Sequence, residues 1–111
     1  MTDQELLECA AKAAEIKCEF IDEVFIGKGL GSDGRDWPWN PLTDDGDALR
    51  LAVNLNLDVE FVVCDGGAEV WACATWRDWP ITYTELLDQD KFAATRRAIV
   101  RAAAEIGKDK K

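Results

Sequence analysis

Three aspartates lie close together in the segment Thr43-Asp44-Asp45-Gly46-Asp47, and their spacing makes this segment the nearest approach in the chain to a metal-binding loop. Clustered carboxylates suit hard cations, but the segment lacks the alternating aspartates and the distant glutamate of an EF-hand loop. The same residues suit the start of a helix, where the helix dipole favours carboxylates and Thr43 can accept from the first free amides. We therefore predict a helix that begins at Asp44, with all three carboxylates in its first turn and no metal bound.

The glycine-rich segment 27–34 invites a phosphate-loop interpretation. It lacks the Gly-Lys-Ser/Thr ending of that motif and a clear strand-to-helix transition, so we interpret it as a mobile surface loop that is a candidate partner contact. The chain contains no histidine, which removes imidazole acid–base chemistry, Cys/His zinc sites and histidine-dependent nucleophiles. The sequence predicts no catalytic centre and no cofactor.

The four cysteines, Cys9, Cys18, Cys64 and Cys73, show no Cys-x-x-Cys spacing. The first residues lack the basic head and apolar middle of a signal peptide, and no apolar run is long enough to cross a bilayer. We expect a soluble cytoplasmic protein whose cysteines are free thiols in apolar surroundings.

Charge is distributed unevenly along the chain, whose formal net charge is −9. Residues 91–111 hold seven basic and two acidic residues, a net of +5, so residues 1–90 carry −14. An acidic body disfavours binding to nucleic acid or to an anionic membrane. Arg97 and Arg101 are four residues apart and share one helix face, so they are the basic surface that a nucleic-acid-binding alternative would use.

Hydrophobic periodicity predicts helices over about 3–17, 44–54 and 90–106. The first is capped by Thr2 or Asp3 and buries Leu6, Leu7, Ala10 and Ala14. The second buries a stripe of Ala48, Leu49, Ala52 and Val53. The third is marked by residues that include Phe92 and Ile99, and it ends near Gly107 as a left-handed cap.

Alternating residues predict two strands, over about 57–64 and 68–76, joined by a hairpin turn at Asp65-Gly66-Gly67. Leu57, Val59, Phe61 and Val63 are expected on the buried face of the first strand. Residues 19–27 fit a strand poorly on alternation and could equally continue helical structure, so we interpret this segment as mixed. The chain is therefore predicted to be one α/β (α+β) domain over 1–107, a small antiparallel sheet covered by helices, with a basic tail over 108–111.

The run Pro41-Leu42-Thr43-Asp44, the tryptophan-bearing second strand and the closing helix at 94–103 resemble the small ABA-sandwich proteins of phages and prophages. The resemblance covers residues 39–106. It implies a helix–sheet–helix sandwich and a phage origin, and it carries no activity or site that can be transferred.

Tryptophans beside turns suggest a binding surface, because tryptophan buries a large area at little entropic cost. We expect Trp37 and Trp79 to be exposed, and Trp39 and Trp71 to be structural. The candidate binding surface combines the two exposed tryptophans with aspartates of the acidic body: Asp33, Asp36, Asp44, Asp45 and Asp47.

The function expected from this surface is that of a non-enzymatic phage accessory protein that binds a host or phage protein. An inhibitor that imitates nucleic-acid charge against a host defence complex is one form of it. A nucleic-acid-binding accessory protein that uses Arg97 and Arg101 is the alternative. A carboxylate–metal enzyme comes third.

Overall fold

The computed structural model describes residues 2–21, 24–29, 33–64, 67–74, 81–86 and 90–108. Its elements, in chain order, are α1 (Asp3–Ala13), β1 (Cys18–Ile21), β2 (Val24–Gly27), β3 (Trp37–Pro38), α2 (Asp45–Asn54), β4 (Asp58–Cys64), β5 (Gly67–Ala74), β6 (Ile81–Leu86) and α3 (Lys91–Lys108). The predicted fold class is confirmed, because helices pack together with small antiparallel sheets. None of the helices in these ranges is both long and apolar enough to span a bilayer.

The strands form two three-stranded antiparallel sheets, ordered β1-β2-β3 and β4-β5-β6. In the second sheet Val59 lies opposite Ala72 and Phe61 opposite Val70, which confirms the two predicted strands. The segment 19–27, interpreted as mixed, contributes to β1 and β2, which pair antiparallel, and its residues 22–23 lie outside the described ones. Positions 65–66 of the predicted turn and the end of the second predicted strand, 75–76, lie outside the described residues.

Helix α1 starts as predicted and ends early. Thr2 Oγ1 accepts a hydrogen bond from the Glu5 amide at 3.2 Å, which confirms the N-cap. The prediction that the helix reaches residue 17 is wrong, because it ends at Ala13 and Glu15 adopts a left-handed φ of 58°. The Ile16 amide then donates to the Ala11 carbonyl at 2.9 Å, so the chain turns directly into β1.

Helix α2 differs from its prediction in its cap and in its buried face. Asp44, not Thr43, is the N-cap, and its carboxylate accepts from the Asp47 amide at 2.8 Å. Leu51 is buried with Ala48 and Ala52, whereas Leu49 and Val53 are exposed. Periodicity alone allowed either stripe, and the packing of α2 against α3 selects the one that contains Leu51.

Helix α3 packs against α1 on one side and against β5 and β6 on another. Val70 and Ala72 of β5 are fully buried beneath it. Gly107 is not a left-handed cap, because α3 continues through it to Lys108 and it is buried against the backbone of Cys9. Its role is to let the two helices approach closely, which requires the absence of a side chain.

Candidate functional site

The three aspartates of the 44–47 cluster have separate structural partners. Asp44 caps α2, and Asp45 accepts from the Arg96 guanidinium at 2.6 Å. Asp47 is buried and accepts from the Asn40 amide at 2.9 Å and from Arg50 at 2.7 Å. Within the described ranges no three His, Cys, Asp or Glu side chains are grouped to hold a metal ion. The cluster therefore fixes the start of α2.

The acidic side chains near β3 pair with neighbouring cations. Asp36 accepts from Lys28 Nζ at 3.0 Å and from the Gly29 amide at 3.1 Å, and both bonds hold the pKa of its carboxyl below the usual range. The same hydrogen bond, with one to Glu19, raises the pKa of Lys28. Asp33 pairs with Arg35 at 2.8 Å. Lys28 therefore joins Asp36 to Glu19 of β1.

The described tryptophans differ in their exposure. Trp37 is exposed as expected, and Trp39 is buried in the core as expected. Trp71 is partly exposed on the face of β5 turned away from α3, where its indole N–H donates to Glu69 at 2.8 Å. Trp79 lies outside the described residues. Of the proposed acidic and aromatic surface, Asp36 and Trp37 are neighbours in the chain, and Asp44, Asp45 and Asp47 lie together at the start of α2.

The basic side chains of α3 pair with acidic residues of the same chain. Arg97 reaches Asp3 at 3.2 Å, and Arg101 reaches Glu85 at 2.7 Å. Arg96, which was not among the predicted site residues, donates from Nε to the Leu42 carbonyl at 2.8 Å and from Nη1 to Asp45 at 2.6 Å. Arg96 therefore joins α3 to the segment that starts α2.

We expect Arg96→Ala to lower the free energy of unfolding by about 1–3 kcal/mol, because a charged hydrogen bond to a partly buried carbonyl is lost. Arg97→Ala is the matched control, since its side chain is 43 % exposed against 16 % for Arg96. The control should cost less than about 1 kcal/mol, as exposed ion pairs do. Urea unfolding followed by circular dichroism measures both, and equal losses would contradict the assigned role of Arg96.

Cys9 and Cys18 are free thiols, and both are partly buried, as is Cys73. Burial raises the pKa of the Cys18 thiol, which keeps it protonated at neutral pH. A protonated thiol is a poor nucleophile and a poor metal ligand. Burial therefore works against activation of Cys18 for chemistry.

The most distinctive surface feature is an apolar groove of about 550 Å³ between α2, β4 and α3. Seven apolar side chains line it: Ala48, Leu49, Ala52, Val59, Phe61, Phe92 and Ile99. Phe61 is 64 % exposed and Phe92 67 % exposed. A second recess beside it shares Leu49, Ala52 and Val59 and continues the apolar surface towards Val53.

The groove exists because the helices cover only part of the second sheet. Helix α3 packs on β5 and β6, while β4 lies at the sheet edge with β5 as its one described neighbour. Val59 and Phe61 point to the same side of the sheet as buried Ala72 and Val70, since directly opposed residues share a face. The prediction that Phe61 and Val63 are buried is wrong, and Val63 is 88 % exposed.

Sequence reasoning assigned these apolar residues to the core and so missed the groove. The alternation of β4 was visible, but alternation shows that a face is apolar and not whether another element covers it. No protein-family model matches this chain, and comparisons with curated proteins and with solved structures find no match either.

Proposed function

We propose that this chain is a non-enzymatic accessory protein that works by binding another protein along β4. The occupant is an extended strand, which pairs with the open edge of β4 and places alternate apolar side chains beside the groove. The observation that carries this proposal is the exposure of Phe61 and Val63 on an edge strand next to other exposed apolar residues. Exposed apolar patches and open strand edges are typical of protein-binding sites.

The acidic and aromatic surface expected from the sequence receives less support as the principal contact. Each of its five aspartates has a cation or a backbone amide as a partner within the chain. Trp37 remains exposed and is the residue of that surface most available to a partner. A phage origin, a host defence complex as the target and a cytoplasmic location remain predictions from the sequence and the resemblance.

Nucleic-acid binding through α3 remains the second candidate, with less in its favour. Arg97 and Arg101 lie on one helix face, as predicted, but both pair with carboxylates of this chain. A phosphate backbone would have to displace those carboxylates and approach a chain of net charge −9.

The test is co-purification from bacteria that express a tagged copy together with an untagged copy. The native chain should retain a protein, identified by mass spectrometry, and Phe61→Lys should retain at least about tenfold less of it, a loss of about 1.4 kcal/mol. Trp37→Ala is the control for the acidic and aromatic surface and should retain the native amount. Circular dichroism verifies that both variants are folded.

Three results contradict the proposal. Equal retention by the native chain and Phe61→Lys would place the contact elsewhere, and loss in Trp37→Ala alone would restore the acidic and aromatic surface. A native chain that retains no protein, not even its untagged copy, would also refute binding along β4.

A further inference from the structure

We infer that the strand added to β4 is β4 of a second copy, so that two chains form a two-fold symmetric dimer with a continuous six-stranded antiparallel sheet. This inference rests on the proposed function and names its partner. It depends on the sequence of β4, on the exposure of its side chains and on its position at the sheet edge.

The centre of β4 defines the pairing register. Phe61 is the middle residue of Asp58–Cys64, so a two-fold axis at Phe61 pairs all seven residues of the strand. In an antiparallel pair this register places Phe61 opposite the partner's Phe61, and Val59 opposite the partner's Val63. These side chains lie on the groove side of the sheet, so the two apolar faces join into one.

The charges of β4 favour this register over its neighbours. With the axis at Phe61, Glu60 lies opposite the partner's Val62 and no carboxylate faces another. An axis at Glu60 would set two glutamates directly opposite each other, which is destabilising. An axis at Val62 would leave Asp58 and Val59 without partners, so it pairs five residues of the strand where the Phe61 axis pairs seven.

The sequence of strand β4 contains none of the prolines or lysines with which proteins keep edge strands from pairing. Proteins block such edges with proline, with lysine or with a covering element. The sequence Asp-Val-Glu-Phe-Val-Val-Cys contains no proline and no lysine. Its two acidic residues are near one end, and antiparallel pairing moves those of the two copies to opposite ends of the joined strands.

The overall charge provides a signature that separates a second copy from a basic partner. Two chains of net charge −9 repel each other, and added salt screens that repulsion. The dimer should therefore tighten as salt rises. A complex with a basic protein would weaken under the same change.

Sedimentation equilibrium tests the inference on the purified full chain, at about 0.05 M and about 0.5 M NaCl. We expect a mass approaching twice 12.3 kDa, with a dissociation constant at least about threefold smaller at the higher salt. Phe61→Lys should remain monomeric at concentrations where Trp37→Lys, the matched control on the other sheet, still forms the dimer. A native chain that stays at 12.3 kDa under both conditions overturns the inference.

Cysteine cross-linking tests the register. Directly opposed residues have Cα atoms about 4.5–5.5 Å apart, within the range of a disulfide. Phe61→Cys should form a covalent dimer on mild oxidation. Val63→Cys alone should not, whereas a mixture of Val59→Cys and Val63→Cys chains should. The native chain, oxidised in parallel, shows how much cross-linking its own cysteines contribute. If Val63→Cys alone cross-links with the same yield as Phe61→Cys, the proposed register is overturned.

The two proposals fail in different ways. A monomeric native chain that still retains another protein, lost in Phe61→Lys, refutes the dimer and supports strand addition by a different partner. A monomeric chain with no Phe61-dependent partner refutes both.

Discussion

Gly107→Ala is expected to lower the free energy of unfolding by at least about 3 kcal/mol, because a methyl group at this position has no space. A Cβ built on Gly107 would overlap the carbonyl oxygen of Cys9 in α1, lie 2.7 Å from the Cys9 carbonyl carbon and lie 3.0 Å from the Ala13 nitrogen. All three are backbone atoms, so no side-chain rotation can relieve the overlap. The helices would have to separate.

The loss should appear despite the better helix propensity of alanine, which favours the substitution by only about 1 kcal/mol. Domains of this size have total stabilities of roughly 5–15 kcal/mol, so a large share of the native stability is removed. Urea unfolding monitored by circular dichroism gives the midpoint and slope for the variant and the native chain.

Gly46→Ala is the matched control, since Gly46 also lies in a helix. A Cβ there would meet the ends of side chains, Asp44 Oδ2 at 3.2 Å and the Arg50 guanidinium at 3.3 Å, and the exposed Arg50 side chain can move. We expect a change of less than about 1 kcal/mol, of either sign. A Gly107→Ala variant as stable as Gly46→Ala would show that α1 and α3 do not pack as closely as these distances require.

Features that depend on neighbours in the chain could be predicted from the sequence. The cap at Thr2, the carboxylates at the start of α2 and the antiparallel pairing of β4 with β5 all follow from local chemistry and period-two alternation. The antiparallel pairing of β1 with β2 could not be predicted, because their residues do not alternate cleanly between apolar and polar.

Features that depend on distant residues could not be predicted. Gly107 lies near the end of a helix before a charged tail, which is the usual context of a left-handed cap. Its contact is with Cys9, nearly a hundred positions earlier in the chain. Arg96 similarly binds Leu42 and Asp45, which are distant in the sequence. Its neighbour Arg97 has the same side chain but makes one more exposed ion pair, with Asp3, so residue type alone could not distinguish the two.

The candidate site was missed for a related reason. A sequence can show that one face of β4 is apolar, but coverage of that face depends on where α3 crosses the sheet. Because α3 lies over β5 and β6, residues with the composition of a core form an exposed groove. The predicted charged residues, by contrast, have partners within the chain.

Leu51→Ala is expected to lower the free energy of unfolding by about 2–5 kcal/mol, because it leaves a cavity where a fully packed side chain stood. Leu51 is 1 % exposed and belongs to the core between α2, α3 and the sheets. Urea unfolding should show a lower midpoint with an unchanged slope.

Leu49→Ala is a closely matched control, with the same substitution two positions away in the same helix. Leu49 is 65 % exposed at the rim of the apolar groove, so its truncation should cost less than about 1 kcal/mol. A larger loss at Leu49 than at Leu51 would mean that α2 buries the stripe first predicted from the sequence, and the groove would then lose one of its walls. The expected order instead leaves Leu49 as an exposed apolar side chain that contributes little to folding and is available to the proposed partner.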